Sequence, residues 1–527
     1  MKQGRGGRWW ALAALALSCL VVGLDVTVLN LALPTLSAAL HASTSALQWF
    51  VVAYSLVFAA MLLPAGLLGD RFGRKRLLLM ALGLFGLASL GCAFAPSSAA
   101  LIGARAVLGL GAAFLIPLSM AVIPVIFSEG ERPKAIAIWV ACNAISFPIG
   151  PILGGWLLKN FWWGSVFLIN VPVVLVALVA VAVLLPESHS QVRRRLDLGG
   201  AAISGIGLAG LIYGVIEAGD RGWGSTAALV PLAAGLLLLG VFVLWERRVT
   251  RSQSGRPIVD PTLFLSPSFT WGAVLATIVS FAMFGLLFAA PQYFQAVLGT
   301  DPLGSGLRLL PVIGGLFVGS QVAERIAHRA GAKVPVATGF VLLVAGLILA
   351  ALTSVSSGYW FAAIWISVTG LGLGFALPTA MDAAMGALST ERSGAGSALI
   401  MTLRQVGGTI GVAILGTILA SSYRSGLVVS GLPASAASAA RGSVSAGVAV
   451  ATKLDSPSLL RSVQTAFVQG MDAMLWVCAG VALLGIVLTL ALLPRWTATI
   501  AEKVPGEKET AAPICGGKAE LGYEVTP

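Results

Sequence analysis

The amino-acid sequence predicts an all-α integral membrane protein with two six-helix bundles plus two inserted helices, which makes fourteen transmembrane helices. Of its 527 residues, 57% are hydrophobic and only 10% are charged, far from the balance of a soluble domain. A transmembrane helix needs about 20 apolar residues to cross a hydrocarbon core roughly 30 Å thick, and apolar runs of that length recur along the chain. A densely charged turn after the second run returns in degraded form after the tenth, which indicates an internal repeat.

The first bundle is predicted to hold six spans. Basic residues precede an apolar run that continues from Trp9 past Asp25 to Pro34, which is too long for a signal peptide and lacks a cleavage site. We therefore interpret this run as the first span, with Trp9 and Trp10 at the membrane interface. The next five spans are expected at about 46–69, 77–95, 99–126, 135–158 and 164–185.

Two inserted spans and a second bundle follow. The inserted spans are expected at about 199–218 and 226–245, and the second six at about 269–295, 304–323, 334–353, 359–381, 395–420 and 467–493. The chain then divides into an N-terminal tail, a first bundle, a linker with the inserted helices, a second bundle and a C-terminal tail, at 1–8, 9–186, 187–268, 269–494 and 495–527. Residues 421–466 are expected to form a long extracytoplasmic loop, with a pattern that allows a short helical hairpin, and the polar C-terminal tail is expected to be disordered.

Cations in the short loops predict the orientation. Short loops rich in Lys and Arg stay on the cytoplasmic side of a bacterial membrane. Four cations lie between residues 71 and 76, Arg132 and Lys134 lie between spans four and five, and 193–195 are all arginine. The outer loops between the first six spans are short and nearly free of cations. Both termini are therefore expected in the cytoplasm, in a multi-pass protein of the bacterial cytoplasmic (inner) membrane.

Composition also disfavours several classes of function. The net charge of +12 comes from scattered cations rather than a basic face, so nucleic acid is not an expected partner. The five cysteines and three histidines are dispersed, which gives neither a disulfide framework nor metal-ligand spacing. No G-x-x-x-x-G-K-[ST] stretch occurs, so the chain is not expected to hydrolyse ATP.

Asp25 and Arg105 are the most informative charged residues inside the predicted spans. A carboxylate inside a span is costly and usually marks a path for a proton or a ligand. At about 1.5 Å per residue, Asp25 lies roughly 23 Å from the Trp10 interface and Arg105 roughly 10 Å from the outer end of span four. The two spans run in opposite directions, so the residues reach similar heights. They form either a static ion pair or a proton carrier balanced between desolvation and a nearby cation.

The charged turn carries the longest motif, Gly66-Leu-Leu-Gly-Asp70-Arg71-Phe-Gly73-Arg74-Lys75-Arg76. This spacing resembles the loop between the second and third helices of major facilitator superfamily transporters. The resemblance implies the major facilitator fold, in which two parallel bundles enclose a substrate site at mid-membrane. It also implies a gating loop that latches the two halves during alternating access, formed by Gly66, Asp70, Arg71, Gly73 and Arg74.

Two further motifs resemble the fourteen-helix drug:proton antiporter branch of this family. They are Leu24-Asp25-x-Thr27-x-x-Asn30-x-Ala32-Leu33-Pro34 in span one and Arg105-Ala-Val-Leu108-Gly109-Leu-Gly111 in span four. The family often has glutamine in place of Leu108. The resemblance implies that Asp25 is the proton carrier and that Arg105 sets its affinity for the proton.

Spans five and six add the direction of transport and a substrate class. Pro148-Ile-Gly150-Pro151-Ile-Leu-Gly154-Gly155 bends a helix and allows close packing. At this position Gly150, Pro151, Gly154 and Gly155 resemble the antiporter motif, which implies an exporter rather than an uptake symporter. Span six opens with Trp-Gly-Ser at 163–165, where most of the branch has Trp-Arg-Trp. That variant resembles exporters of quaternary ammonium compounds, dyes and viologens.

Other polar residues inside spans are candidates for the wall of a substrate cavity between the halves. These candidates are Asn30, Gln48, Tyr54, Asn143 and Arg404. Arg404 lies roughly 15 Å from the inner end of its span, and structural and substrate-path roles are equally open for it. Three acids near span ends are interpreted as interfacial carboxylates whose part in substrate or proton binding stays open, namely Asp382, Asp472 and Glu217.

Together these features predict proton-coupled efflux of amphipathic, cationic drugs or toxic compounds by alternating access. The expected partners are the small-molecule substrate, protons and membrane lipids, and the expected functional unit is a monomer. A proton gradient supplies the energy, without a cofactor or a metal. An exporter of a lipid, an endogenous metabolite or an antibiotic on the same scaffold is the alternative. A non-transporting membrane sensor or a membrane enzyme is a less favoured alternative. The sequence has no clustered His or Cys residues and no paired acids near the membrane surface, which argues against an enzyme.

Overall fold

The structure is a computed structural model that describes residues 5–128, 130–188, 197–251, 261–388 and 393–494. Within this part of the chain, fourteen helices are long and apolar enough to cross a membrane, which confirms the predicted fold class. The triple arginine at 193–195 and the predicted tail at 495–527 lie outside the described residues.

The first half of the chain holds six spans and is followed by the inserted pair. The six spans are α1 (Arg5–Ala39), α2 (Thr44–Phe72), α3 (Arg74–Ala93), α4 (Ser98–Ile126), α5 (Arg132–Asn160) and a broken helix of α6 (Ser165–Leu168) and α7 (Asn170–Leu184). The inserted pair is α8 (Leu198–Arg221) and α9 (Thr226–Arg251).

A 3-10 turn at Pro261–Leu265 leads into the second half. Its first five spans are α10 (Pro267–Ala296), a broken helix of α11 (Pro302–Arg308) and α12 (Leu310–Ala330), α13 (Lys333–Ala351), α14 (Tyr359–Met385) and α15 (Ser393–Gly426). Two short helices follow, α16 (Ala434–Gly442) and α17 (Val444–Lys453), before the last span, α18 (Pro457–Leu492).

Side chains before the helices fix several helix starts. We call the end of the bundle at which α1 begins the proximal end and the opposite end the distal end. At the distal end, Ser43, Ser97 and Asp301 precede α2, α4 and α11. Each side chain accepts a hydrogen bond from the backbone N–H three residues later. Such caps satisfy donors that the first turn of a helix leaves free.

The charged turn between α2 and α3 is mostly helical, which corrects the prediction of a longer turn. α2 continues to Phe72 and α3 begins at Arg74, so only Gly73 breaks the helix, with a φ of 103°. In the second half, α12 continues through most of the matching charged segment to Ala330, and Gly331 then has a φ of 79°. Glycine reaches a positive φ without steric cost, so few residues suffice to join the helices. The repeat therefore includes the backbone of the turn.

Residues 421–466 are more helical than the predicted loop. α15 continues to Gly426, and α18 begins at Pro457 rather than near 467. Arg461 and Gln464 lower the hydropathy of the first turns of α18 without interrupting its backbone hydrogen bonds. α16 and α17 pack against each other, and α17 also contacts α1, α10 and α18. Hydropathy marks the segment suited to lipid, whereas the helix itself extends beyond that segment.

The apolar side chains form two large buried cores. The first is built mainly from α1 to α8, and the second from α10 to α18. α8 packs against α2 of the first half and α15 of the second, whereas α9 packs against α8. The inserted pair therefore lies beside the seam between α2 and α15.

Polar contacts that join the two halves of the described chain lie at the distal end. Gln48 Nε2 donates hydrogen bonds to the carbonyl oxygens of Val412 and Ala413 at 3.2 and 3.0 Å. The buried hydroxyls of Ser37 and Ser443 lie 2.7 Å apart. α2 and α15 stay packed, whereas α5 meets α11 at the distal end and largely separates from α12 below it. The structure is thus closed at the distal end and open toward the proximal end.

Candidate functional site

The structure brings Asp25 and Arg105 together. Arg105 Nη1 on α4 donates a hydrogen bond to Asp25 Oδ2 on α1. Both side chains are 1% exposed. Removing one charge of such a pair leaves the other buried without compensation, and this is strongly unfavourable. The two residues therefore form one electrostatic unit inside the helix bundle.

Arg105 is also held by α2. Its Nε donates a hydrogen bond to the Phe50 carbonyl oxygen at 2.9 Å, and its guanidinium carbon lies 4.5 Å from the centroid of the Tyr54 ring. Gly109, one turn further along α4, allows this close approach, since a Cβ there would lie 2.3 Å from the Tyr54 carbonyl oxygen. Arg105 therefore connects the carboxylate on α1 to the backbone of α2.

Asn170 completes this polar cluster, although it was not among the predicted site residues. Its Nδ2 lies 3.5 Å from Asp25 Oδ1 and 3.4 Å from Ser89 Oγ, and its side chain is buried. Asn170 is the first residue of α7, directly after the helix break at Ile169. The signal available in the sequence was a lone amide in an otherwise apolar span.

The cluster lies inside the first half rather than between the halves. Asp25, Arg105 and Asn170 are buried, and their polar partners belong to α1, α2, α3, α4 and α7. A substrate between the halves would not contact Asp25 in this conformation. Coupling between a substrate and this carboxylate would have to pass through the surrounding helices.

The candidate cavity residues occupy different environments, and three of them are buried. Gln48 holds α2 to α15, Tyr54 lies beside Arg105, and Asn30 donates to the Val26 carbonyl of its own helix at 2.9 Å. Sequence position alone does not reveal which face of a helix meets a neighbour, and these three side chains point into helix contacts. Asn143 and Arg404 are partly exposed.

Arg404 is the one charged residue among these five candidates, and its partners do not balance its charge. Its Nε donates to Ser280 Oγ at 3.2 Å, and its Nη1 lies 3.2 Å from Met381 Sδ. Both partners are neutral, and no carboxylate of the described residues pairs with it. Its remaining donors are free to bind water or a polar group of a ligand.

The proximal part of α5 exposes most of its circumference. Ser146 and Gly150 are buried against α1, where a Cβ on Gly23 would overlap Ser146 and a Cβ on Gly150 would overlap Thr27. The exposed large side chains of this part are Ile138, Val140, Ile145, Phe147 and Ile149. With about 3.6 residues per turn, these positions cover the side away from α1. Apolar surface of α5 therefore faces both the surrounding membrane and the gap toward α12.

The small residues of α5 allow it to approach α1 closely. A Cβ on Gly150 would lie 1.9 Å from Thr27 Oγ1, and a Cβ on Gly154 would lie 2.8 Å from Val28 Cγ1. Such distances are below ordinary van der Waals contact, so larger side chains would require α5 to move away from α1.

The same segment of α5 meets α11 of the second half. A Cβ on Gly155 would lie 2.6 Å from Leu303 Cα, and a Cβ on Gly306 would lie 2.2 Å from the Pro151 carbonyl oxygen. The backbones of α5 and α11 are therefore in direct contact at both glycines. The motif residues Pro151 and Gly155 thus form part of the distal closure between the halves.

Asp70 and Arg74 pair across the break at Gly73. Arg74 Nη2 and Nε donate to Asp70 Oδ1 at 2.7 and 3.0 Å. Arg74 Nη1 donates to the Ala121 carbonyl oxygen on α4 at 2.8 Å. This pair therefore fastens the turn to the first half.

The contacts that the structure describes for Gly66 and Arg71 of the predicted gating loop also lie within the first half. Gly66 faces Pro117 on α4, where a Cβ would lie in ordinary contact at 3.9 Å. The Arg71 guanidinium carbon lies 5.2 Å from the centroid of the Phe72 ring. A latch between the halves stays a prediction for a different conformation.

An exposed ion pair accompanies the distal closure. Lys159 Nζ at the end of α5 lies 2.9 Å from Asp301 Oδ2 before α11, and the two side chains are 52% and 46% exposed. The hydrogen bond from Lys159, with a second from the Gly304 backbone N–H, holds the pKa of Asp301 below its ordinary value of 3.8. Because the pair is half in solvent, it contributes little to the stability of the closure.

We expect this ion pair to be insensitive to pH in the neutral range. Because the pKa of Asp301 is lowered in the folded protein, its contribution is present above the ordinary pKa and is lost only as the pH falls through the lowered value. Spin labels on Asn160→Cys and Ser356→Cys, with Cys142 and Cys515 replaced by serine, report the width of the distal end. Between about pH 6 and pH 8 the Asp301→Asn variant and its parent should show the same pH response. A response that the variant removes would contradict this expectation.

The three acids left open by the sequence differ in the structure. Glu217 Oε1 pairs with Arg221 Nε of its own helix at 2.5 Å, Asp382 is exposed at the proximal end of α14, and Asp472 is half-buried in α18. Among the described residues, no group of three or more His, Cys, Asp or Glu side chains is arranged to hold a metal ion.

Sequence comparison matches residues 15–412 to the family model described as Major Facilitator Superfamily. The chain is 36% identical over 491 residues to "Multidrug efflux pump LfrA" of Mycolicibacterium smegmatis, which covers 91% of this chain and 96% of that protein. It is 34% identical to "Methyl viologen resistance protein SmvA" of Salmonella typhimurium, with 85% and 90% covered. It is also 34% identical to "Multidrug resistance protein Stp" of Mycobacterium tuberculosis, with 78% and 75% covered.

Structure comparison finds the same fold among solved transporters. A bacterial homolog of the human lysosomal transporter Spinster superposes with a TM-score of 0.65 at 17% identity, over 94% of this chain and 99% of that one. The D-xylose-proton symporter superposes with a TM-score of 0.60 at 14% identity, over 92% and 98%. At such identities the similarity concerns the fold.

Proposed function

The chain belongs to the major facilitator superfamily, and from this membership we propose that it exports amphipathic, cationic drugs or toxic compounds in exchange for protons. Membership makes it a multi-pass membrane transporter rather than an enzyme. The names of LfrA, SmvA and Stp support a drug or toxic-compound substrate. In this proposal the protein lies in the bacterial cytoplasmic membrane, and the proximal end with both termini faces the cytoplasm, because short basic loops stay on that side.

The buried Asp25–Arg105 pair is the observation that carries the proton-coupled part of the proposal. A carboxylate with 1% exposure inside a span requires either a counter-charge or a proton. Arg105 supplies the counter-charge in this conformation, and a proton on Asp25 would release it. In the transport cycle that we propose, Asp25 is neutralised alternately by the Arg105 guanidinium and by a bound proton.

The contacts of Arg105 suggest how protonation would reach the interface between the halves. Arg105 binds the Phe50 carbonyl of α2, and Gln48, half a turn away on the same helix, binds the carbonyls of α15. Loss of the charge on Asp25 would alter the contact between Arg105 of α4 and the Phe50 carbonyl of α2. The position of α2 against α15 would therefore change. Substrate and proton would thus be coupled through α2 rather than by competition for one carboxylate.

The exposed apolar side of α5 supports a lipophilic substrate. In the closed-distal conformation, a compound dissolved in the cytoplasmic leaflet would approach the space between α5 and α12 along this apolar side. Asn143 and Arg404 are partly exposed polar residues inside the spans, and we assign them to the wall of this space. The Asp70 turn and the matching segment before Gly331 would approach each other when the proximal end closes.

Asp25→Asn tests the proposal directly. Inverted vesicles are loaded with a pH-sensitive dye, given an acid interior, and supplied with ethidium as the lipophilic cation. We expect ethidium to trigger proton release in wild type and not in Asp25→Asn, because the amide has the shape of the acid but binds no proton at neutral pH. Asp455→Asn, an exposed substitution in the loop before α18, is the matched control and should behave as wild type.

Two other outcomes would change the proposal. If Asp25→Asn still releases protons, the carrier lies elsewhere. If wild type responds neither to ethidium nor to a quaternary ammonium compound at equal expression, the cationic-drug proposal fails. Transport of a fluorescent lipid across the same vesicles would then favour the lipid-exporter alternative.

A further inference from the structure

Asp472 is a second carboxylate inside a membrane span, and it is held quite differently from Asp25. It lies about four turns into α18 and about one and a half turns beyond residue 467, where the lipid-suited part of this helix is predicted to begin. Its Oδ1 atom is buried without a hydrogen-bond partner among the described residues, while the side chain as a whole is half-buried rather than sealed. None of the ion pairs of the described chain includes it. A carboxylate in this position therefore lacks the counter-charge that Arg105 gives to Asp25.

Among the described residues, the helices packed against α18 offer no cation to Asp472. α18 contacts α10, α13, α15 and α17. Their ionisable or charged residues are Tyr293, Lys333, Arg404, Tyr423, Arg424 and Lys453. Lys333 and Arg404 lie toward the proximal end, Arg424 pairs with Asp220, and Lys453 is exposed at the end of α17. Arg461 of α18 itself is exposed three turns earlier.

Tyr293 lies near the distal end of α10, which packs against α18. Its hydroxyl is buried and has no hydrogen-bond partner among the described residues. Tyr423 is the other tyrosine of this set, and its hydroxyl donates a hydrogen bond to the Ala440 carbonyl oxygen at 2.8 Å. Asp472 and Tyr293 are thus two incompletely satisfied polar groups in one region of the second half. An unpaired buried polar group is costly, which makes a small ligand at this place favourable.

In the repeat, Asp472 lies on the span that corresponds to the one that carries Asn170. α7 is the sixth span of the first half and contributes Asn170 to the Asp25 cluster, and α18 is the sixth span of the second half. Each half therefore contains a carboxylate inside a span, but only Asp25 of the first half is paired with an arginine. With no cation near it, the acid of the second half is neutralised most simply by a proton.

We propose that Asp472 is a second proton-binding site, which carries a proton in the conformation closed at the distal end and exchanges it independently of Asp25. The reaction is the reversible addition of one proton to the carboxylate, with no other bond formed or broken. The existence of the site does not depend on the identity of the exported compound. Its use in transport rests on the proposed proton-coupled function.

Infrared spectroscopy of the purified full-length protein tests the site without any substrate. We expect a carboxylic-acid C=O band near neutral pH that disappears as the pH is raised. This band should be lost in Asp472→Asn and retained in Asp25→Asn, because Asp25 is already neutralised by Arg105. Asp382→Asn, which removes an exposed carboxylate of α14, is the matched control and should retain the band. A band that survives in Asp472→Asn would overturn the proposal.

A measurement on the wild-type protein makes the test independent of how the variant folds. Dicyclohexylcarbodiimide adds to protonated carboxylic acids in apolar surroundings, and the acid proton moves to a nitrogen of the reagent as the new C–O bond forms. Peptide mapping should find the adduct at Asp472 near neutral pH and lose it at high pH. An adduct at Asp25 alone would contradict the assignment. If both the band and the adduct appear while ethidium export fails, the second site stands and the proposed substrate class does not.

Discussion

Arg105→Gln is expected to abolish proton-coupled export and to destabilise the first half. Arg105 neutralises Asp25 and binds the Phe50 carbonyl, and both contacts are buried. Breaking a buried ion pair by removing one partner typically costs about 3–5 kcal/mol, because the other charge is left uncompensated. Asp25 would then hold its proton permanently, so the exchange between proton and guanidinium would stop. Thermal unfolding in detergent and proton release from inverted vesicles measure the two effects separately.

The double variant Asp25→Asn/Arg105→Gln separates stability from coupling. With both charges removed, no buried charge is left unpaired, so most of the lost stability should return while proton release stays absent. Arg71→Gln is a matched control, since Arg71 is an exposed cation of the same helix bundle. It should leave the unfolding temperature unchanged. If the double variant were as unstable as Arg105→Gln, the pairing argument would be refuted.

Gly155→Ala is expected to shift the protein away from the conformation closed at the distal end. The added Cβ would lie 2.6 Å from Leu303 Cα and 2.9 Å from the Pro302 carbonyl oxygen, and neither backbone atom can rotate away. Overpacking of this kind costs about 1–3 kcal/mol, which corresponds to a fall of about 5- to 150-fold in the population ratio. Because the overlap lies between the halves, each half should keep its own fold.

Spin-label distances measure this shift. The pair Asn160→Cys and Ser356→Cys should show a longer distal distance in Gly155→Ala than in its parent, and ethidium export should fall. Gly83→Ala is the matched control, since Gly83 is also a helical glycine but has no neighbouring atom within 4 Å of the added Cβ. An unchanged distance in Gly155→Ala would mean that α5 and α11 can separate slightly without opening the distal end.

The contacts at the two ends of the molecule are formed by different kinds of residue. At the distal end, small residues on α5 and α11 and the Gln48 amide hold the halves together. The proximal end carries most of the basic turns, which keep their contacts within one half here. When the distal end opens and the proximal end closes, apolar and amide contacts at the distal end would therefore be lost. Charged contacts at the proximal end would form in their place.

The positions of the membrane helices follow from the sequence more accurately than their ends do. The apolar runs predicted all fourteen spans, since the composition of a span is set by lipid. The ends of α2, α12 and α18 were less accurate, because charged residues continue a helix beyond the lipid-suited segment as long as the backbone bonds are satisfied. Gly73 alone separates α2 from α3, and Gly331 and Ala332 separate α12 from α13.

The sequence by itself determined the fold class, the repeat and the similar depth of Asp25 and Arg105, because apolar length and helical rise depend only on residue order. Tertiary structure alone decided which side chains meet. It placed Asp25 inside the first half, added Asn170 to its cluster, and buried Gln48 and Tyr54 in helix contacts. It also left Asp472 without a cation. The reason is that the face a helix presents depends on the crossing of its neighbours, which linear spacing does not specify.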